Sequence, residues 1–128
     1  MKVNVILYVK DQQASAHFYA EVLGERPRLD VPGMTEFTLG ADCILGLMPE
    51  SGARRLLGPG APDPAKGSGI PRTEVYLTVE DPAGHHRRAL QAGAKELSPL
   101  LKRDWGDAAA YSLDPDGHVL VFAMAQPV

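Results

Sequence analysis

The sequence predicts an α+β fold made of two βαβββ modules, and three observations carry that prediction. A strand motif occurs twice: Asn4-Val5-Ile6-Leu7-Tyr8-Val9-Lys10-Asp11 returns in the second half as Glu74-Val75-Tyr76-Leu77-Thr78-Val79-Glu80-Asp81. Each copy alternates, with Val5, Leu7, Val9 and Val75, Leu77, Val79 on one face, the period-two pattern of a strand. Each ends in an aspartate that can cap a following helix, and each helical stretch stops at a glycine, Gly24 or Gly93, suited to a left-handed closing position. Near the end, Asp114-Pro115-Asp116-Gly117 combines a proline that presets one torsion with a glycine that permits a positive one. It predicts a hairpin of the last two strands.

Taken in order, the first strand leads into a helix over Gln12 to Leu23, where Phe18, Tyr19, Val22 and Leu23 form one apolar stripe. This stripe should cover the Val5-Leu7-Val9 face. Pro27 and Val31-Pro32-Gly33 bracket a short strand around Arg28 to Val31, and strands over Met34 to Leu39 and Cys43 to Met48 complete a module of residues 1–49. From 50 to 72, four prolines and five glycines mark a linker in which only Arg54 to Leu57 suits a helical turn. The second module, 73–128, repeats the plan: a strand over Thr73 to Glu80, a helix over Pro82 to Ala92 opened by its proline, and strands over Glu96 to Leu100, Asp107 to Leu113 and Val119 to Met124. Gly84 weakens the first turn of that helix. At about 60 residues neither module buries an adequate core alone, so their sheets are expected to meet, within or between chains.

Composition excludes several function classes. With 45% hydrophobic and 23% charged residues the chain is globular rather than disordered. A net charge of −3 without a run of like charges offers no footprint for nucleic acid or an anionic membrane, so Arg54-Arg55, Arg87-Arg88 and Lys102-Arg103 read as solvated surface. A lone cysteine, Cys43, forms no internal disulfide and reads as a small buried hydrophobe in a reducing compartment. No signal segment and no apolar run of about 18 residues is present, and the expected location is cytoplasmic. No Gly-x-Ser-x-Gly elbow or phosphate-cradling loop appears. His17, adjacent His85 and His86, and His118 lack the spacing of a metal pair.

Val9-Lys10-Asp11, Phe18-Tyr19-Ala20-Glu21-Val22-Leu23-Gly24, Trp105-Gly106 and Asp114-Pro115-Asp116-Gly117-His118 together resemble the vicinal oxygen chelate superfamily, which contains glyoxalase I, extradiol dioxygenases, fosfomycin-resistance transferases and bleomycin-resistance proteins. The resemblance covers nearly the whole chain except the linker. It implies curled mixed sheets around a cavity, often across a dimer. It also implies four places for metal ligands, His or Glu, which match Asn4, Gly46, Glu74 and Val121. Glu74 alone is a strong donor there, short of the three or four protein ligands of a catalytic centre, so the expectation is no metal and no cofactor.

The same alternation suggests a binding wall. Asn4, Ile6 and Tyr8 with Glu74, Tyr76 and Thr78 would line a cavity completed by Met48 and Val121. Buried and unpaired, Glu74 would have a raised pKa and cost several kcal/mol; a salt bridge to Arg72, Arg103 or another base is the alternative. Trp105 and Asp107, two apart, can face this cavity with Tyr111 beyond. The indole is expected in the core, with a partner for its N–H. The function expected is therefore a metal-free, non-catalytic protein of bleomycin-resistance type, binding an aromatic or cationic small molecule in a homodimer cavity. The alternative is an enzyme: a metal-dependent glyoxalase-like lyase or dioxygenase, or a metal-free one using Glu74 as general base.

Overall fold

Alternation and capping place the elements almost where the residue pattern puts them. The computed structural model describes residues 1–126, so the last two positions of the second module lie outside the described residues. The chain divides into two compact units, one of Met1–Ala20 with Gly24–Ser68, the other of Glu21–Leu23 with the chain from Gly69 on.

The first unit holds β1 (Val3–Val9), most of α1 (Gln12–Leu23), β2 (Leu29–Val31), β3 (Met34–Gly40), β4 (Cys43–Pro49), α2 (Glu50–Leu57) and a 3-10 turn, Pro64–Gly67. Its sheet runs β1-β4-β3-β2, with β1 parallel to β4 and the other pairs antiparallel. Asp11 accepts from the Ala14 N–H at 3.0 Å, and Gly24 closes α1 at φ 68°. Leu7, Val9, Phe37, Leu45 and Leu47 are buried on one side of the sheet, whereas Val5 is 40% exposed, contrary to expectation.

The stretch expected to be a linker corrects the sequence reading most. Glu50–Leu57 is a helix, entered from Pro49 without a side-chain cap, and its Ala53 is fully buried as α2 packs on β4 and β1. Arg54 and Arg55 stand in its last turn, where cations suit the carbonyl end of the helix, and Arg54 pairs with Asp63 at 3.0 Å.

The second unit contains β5 (Glu74–Thr78), α3 (Pro82–Gln91), β6 (Lys95–Lys102), β7 (Asp107–Leu113) and β8 (Val119–Ala125), ordered β5-β8-β7-β6 with β5 parallel to β8. One sheet face buries Ala108, Ala110, Leu120 and Phe122 beside His86 and Ala89 of α3, with the His85 ring 5.0 Å from that of Phe122. The other face carries Ala109, Val121 and Ala123, with Tyr76, Tyr111 and Val119 packed against them. Each unit thus presents a mixed four-stranded sheet. Among the described residues no helix is long and apolar enough to cross a membrane.

Gly84 has a local cause. Asp81 accepts from the Gly84 N–H at 3.0 Å, and a Cβ on Gly84 would stand 2.1 Å from the Asp81 Oδ2. Alanine at this position therefore has to displace the capping carboxylate. Gly84→Ala, worth about 1 kcal/mol of stabilisation in an ordinary helix, is expected to be near neutral here, because cap loss costs about the same. In an Asp81→Ala background the full gain of about 1 kcal/mol should return. Urea denaturation of the four proteins measures this coupling, and strict additivity would refute it.

The β7–β8 turn forms as expected. Asp114 Oδ1 accepts from the N–H groups of Asp116 and His118, each at 2.9 Å, and Gly117 takes φ 87°. Over this turn passes Gly69, whose N–H donates to the Asp116 carbonyl at 3.2 Å.

Candidate functional site

The second unit gathers most of the predicted site residues on one sheet face. In register, Tyr76 and Tyr111 flank Val121 from β5 and β7, while Glu74 and Asp107 lie further along the same two strands. The link from β6 to β7 supplies the rest. Arg103-Asp104-Trp105-Gly106 is a tight turn in which the Arg103 N–H donates to the Asp107 carbonyl at 2.7 Å and the Gly106 N–H to the Arg103 carbonyl at 3.2 Å; Gly106 takes φ 98°.

This turn presents Trp105 outward. Its side chain is 58% exposed, against the expectation of a core residue, because it stands on a turn rather than on a strand. The indole is nevertheless fixed: Nε1 donates to the Tyr76 Oη at 3.0 Å, and the Tyr76 hydroxyl donates to Asp107 Oδ2 at 2.5 Å. Burial raises the pKa of Tyr76 above the ordinary 10.0, and the Asp107 bond raises it further, outweighing the opposing bond from Trp105. The phenol therefore keeps its proton at neutral pH and acts as the donor that holds Asp107. Val121 is wholly buried and forms the floor beneath Tyr76 and Tyr111.

Tyr111 is also held above 10.0, first by burial and then by the charge of Glu74, with Arg103 pulling the other way and Asp107 adding to the rise. The Arg103 guanidinium lies over its ring, 4.9 Å from the centroid. Glu74 is exposed and makes no ion pair among the described residues, so neither the burial nor the Arg72 or Arg103 bridge expected of it is present. It opens an edge strand, where solvent takes the place of a partner.

Asn4, Tyr8 and Met48 belong to the first unit, where Tyr8 stands opposite Met48 and Ile6 opposite Gly46 in the parallel pair β1–β4. Sequence reasoning missed their neighbour Glu36, which lies opposite Gly46 from β3 and is only 8% exposed. Glu36 pairs with Arg28 and accepts from the Asn4 side-chain amide at 3.4 Å. Alternation from Met34 puts Glu36 on this face, so the signal was available. Arg103 was expected only as a bridge to Glu74 or as solvated surface; its hold on the Ala109 carbonyl and its place over Tyr111 were missed.

A sequence model of the Glyoxalase/Bleomycin resistance protein/Dioxygenase superfamily matches residues 3–122. The chain belongs to this superfamily. An uncharacterized protein of Mycobacterium bovis is 29% identical over 125 residues, 95% of this chain and 80% of the relative. Among solved structures, a glyoxalase-related enzyme from Fulvimarina pelagi superposes with TM-score 0.82 at 23% identity, covering 97% of this chain and 87% of that one. A glyoxalase/bleomycin resistance protein/dioxygenase family enzyme from Burkholderia phytofirmans superposes with TM-score 0.81 at 17% identity, covering 96% and 97%. The vicinal oxygen chelate resemblance and the α+β fold of βαβββ modules agree with these findings.

The metal that the superfamily's enzymes hold does not fit the donors of this member. Gly46 has no side chain, and the Ile6 Cδ1 lies 2.5 Å from where its Cβ would stand. Val121 is a buried hydrocarbon. What remains at the four matched positions is Asn4 and Glu74, one weak and one strong oxygen donor, too few for a catalytic centre. Among the described residues no three His, Cys, Asp or Glu side chains gather elsewhere to replace them.

Proposed function

We propose that this superfamily member is a metal-independent small-molecule-binding protein that takes an aromatic or cationic guest on the Tyr76-Trp105-Tyr111 face and acts as a homodimer. The observation that carries the reading is the Trp105 indole, exposed yet fixed by the chain Trp105 to Tyr76 to Asp107. An exposed aromatic ring held in one orientation offers stacking and cation–π contact, about 0.5–2 kcal/mol each, with its ordering cost already met. Glu74 adds an unpaired carboxylate to the face.

Glu74→Gln is expected to weaken an aromatic cation by about 1 kcal/mol more than its neutral isostere. The value is small because the carboxylate is solvent-screened. Calorimetry on both guests with both proteins is the check, and equal losses would remove Glu74 from recognition. For assembly, Val3, Val5, Leu97 and Leu101 are each 40% to 51% exposed, apolar area that a second copy can cover. Light scattering should give twice the chain mass, and a monomer at micromolar concentration would count against the dimer.

A further inference from the structure

We propose that the guest of this face is amphoteric, an aromatic compound whose carboxylate is taken by Arg103 while its cationic group lies toward Glu74. The inference rests on the binding reading above and adds to it the class of ligand. Arg103 is held unusually firmly for a surface arginine. Its Nε and Nη2 donate to the Ala109 carbonyl at 3.2 and 2.7 Å, and Nη2 also donates to Ser98 Oγ at 2.6 Å and to the Pro99 carbonyl at 3.3 Å. The guanidinium carbon lies over the Tyr111 ring, 4.9 Å from its centroid. A role in holding the β6–β7 turn accounts for Nε and Nη2 and leaves Nη1, which has no hydrogen-bond partner among the described residues.

The nearby acids do not take up this charge. Neither Asp104, next in sequence, nor Glu74, whose field reaches the same Tyr111 phenol, forms an ion pair with Arg103 among the described residues. The face therefore offers a fixed cation with an open N–H edge and a separate unpaired carboxylate, and both act on one tyrosine. A guanidinium already ordered by four hydrogen bonds and a ring loses little further freedom on gripping a carboxylate, which is the geometry that favours a charge-assisted bond. A purely cationic guest would leave Arg103 unused and repelling it. A purely anionic one would do the same with Glu74.

Four indoles of matched shape test this by calorimetry: tryptophan, tryptamine, indole-3-propionate and 3-ethylindole. On the wild-type protein tryptophan is expected to bind roughly three- to tenfold tighter than tryptamine. Arg103→Gln should abolish that advantage, lowering tryptophan affinity at least threefold more than tryptamine affinity. Tryptophan no tighter than tryptamine on the wild type would overturn the amphoteric guest. So would a loss in Arg103→Gln shared equally by both, since Arg103 would then serve only to build the turn. The underlying reading fails separately, if Trp105→Ala binds tryptophan and tryptamine as tightly as the wild type. Absence of binding by all four at millimolar concentration would sink both.

Discussion

Gly117→Ala is expected to destabilise the protein by about 2–4 kcal/mol, a large effect for the addition of one methyl group. Two causes act together. The residue sits at φ 87°, where an L side chain is strained, and its Cβ would stand 2.7 Å from the Gly69 carbonyl oxygen and 2.8 Å from the Gly69 carbonyl carbon and Cα. Those are backbone atoms tied to the turn by the Gly69 N–H to Asp116 bond, so no rotamer change relieves the contact. Gly106→Ala separates the causes. That glycine has φ 98° but nothing within 4 Å of its would-be Cβ, so only the torsional cost of about 1 kcal/mol should appear. Urea midpoints at unchanged slope give both numbers, and equal costs would show that the crossing by Gly69 contributes nothing.

Gly46→Glu, which installs a donor of the kind the metal enzymes of the superfamily carry, should cost about 2–4 kcal/mol. The new Cβ meets Ile6 Cδ1 at 2.5 Å and Met34 Sδ at 3.1 Å, and the new carboxylate arrives opposite Glu36 across the β3–β4 pair. Ile6→Ala opens the space and should recover the steric part, leaving the like-charge part. Thermal and urea denaturation of the single and double variants read this directly. A single variant as stable as the parent would mean that Ile6 yields without cost, and that the position is closed to a ligand by composition rather than by packing.

The elements that alternation and caps define were legible in the sequence: α1 and β7 fall on their expected bounds, and Asp11 and Asp81 cap as anticipated. Of the helix Glu50–Leu57 only the turn Arg54 to Leu57 was legible, because Ser51 and Gly52 are poor helix formers and Ala53 is buried in tertiary packing that local propensity does not register. Tyr76, Asp107, Tyr111 and Val121 share one sheet face as period-two reasoning places them, since strands sort side chains by parity. Trp105 was misplaced because parity lapses in a turn. Arg103 was read only as a bridge to Glu74 or as solvated surface for a related reason: which of its nitrogens are occupied is a property of the fold.

The outer strand β6 carries one more implication. Pro99 sits within it without an N–H to offer, the pairing with β7 shifts register on both sides of Ser98, and Arg103 and the Ser98 hydroxyl occupy the Pro99 carbonyl. An edge so interrupted is a poor template for another strand, which guards against the edge-to-edge stacking that turns sheet proteins into fibrils. Copies of this chain that associate should therefore do so through side chains at this border and not by extending the sheet across it. The exposed leucines Leu97 and Leu101 can then remain at the border without seeding aggregates.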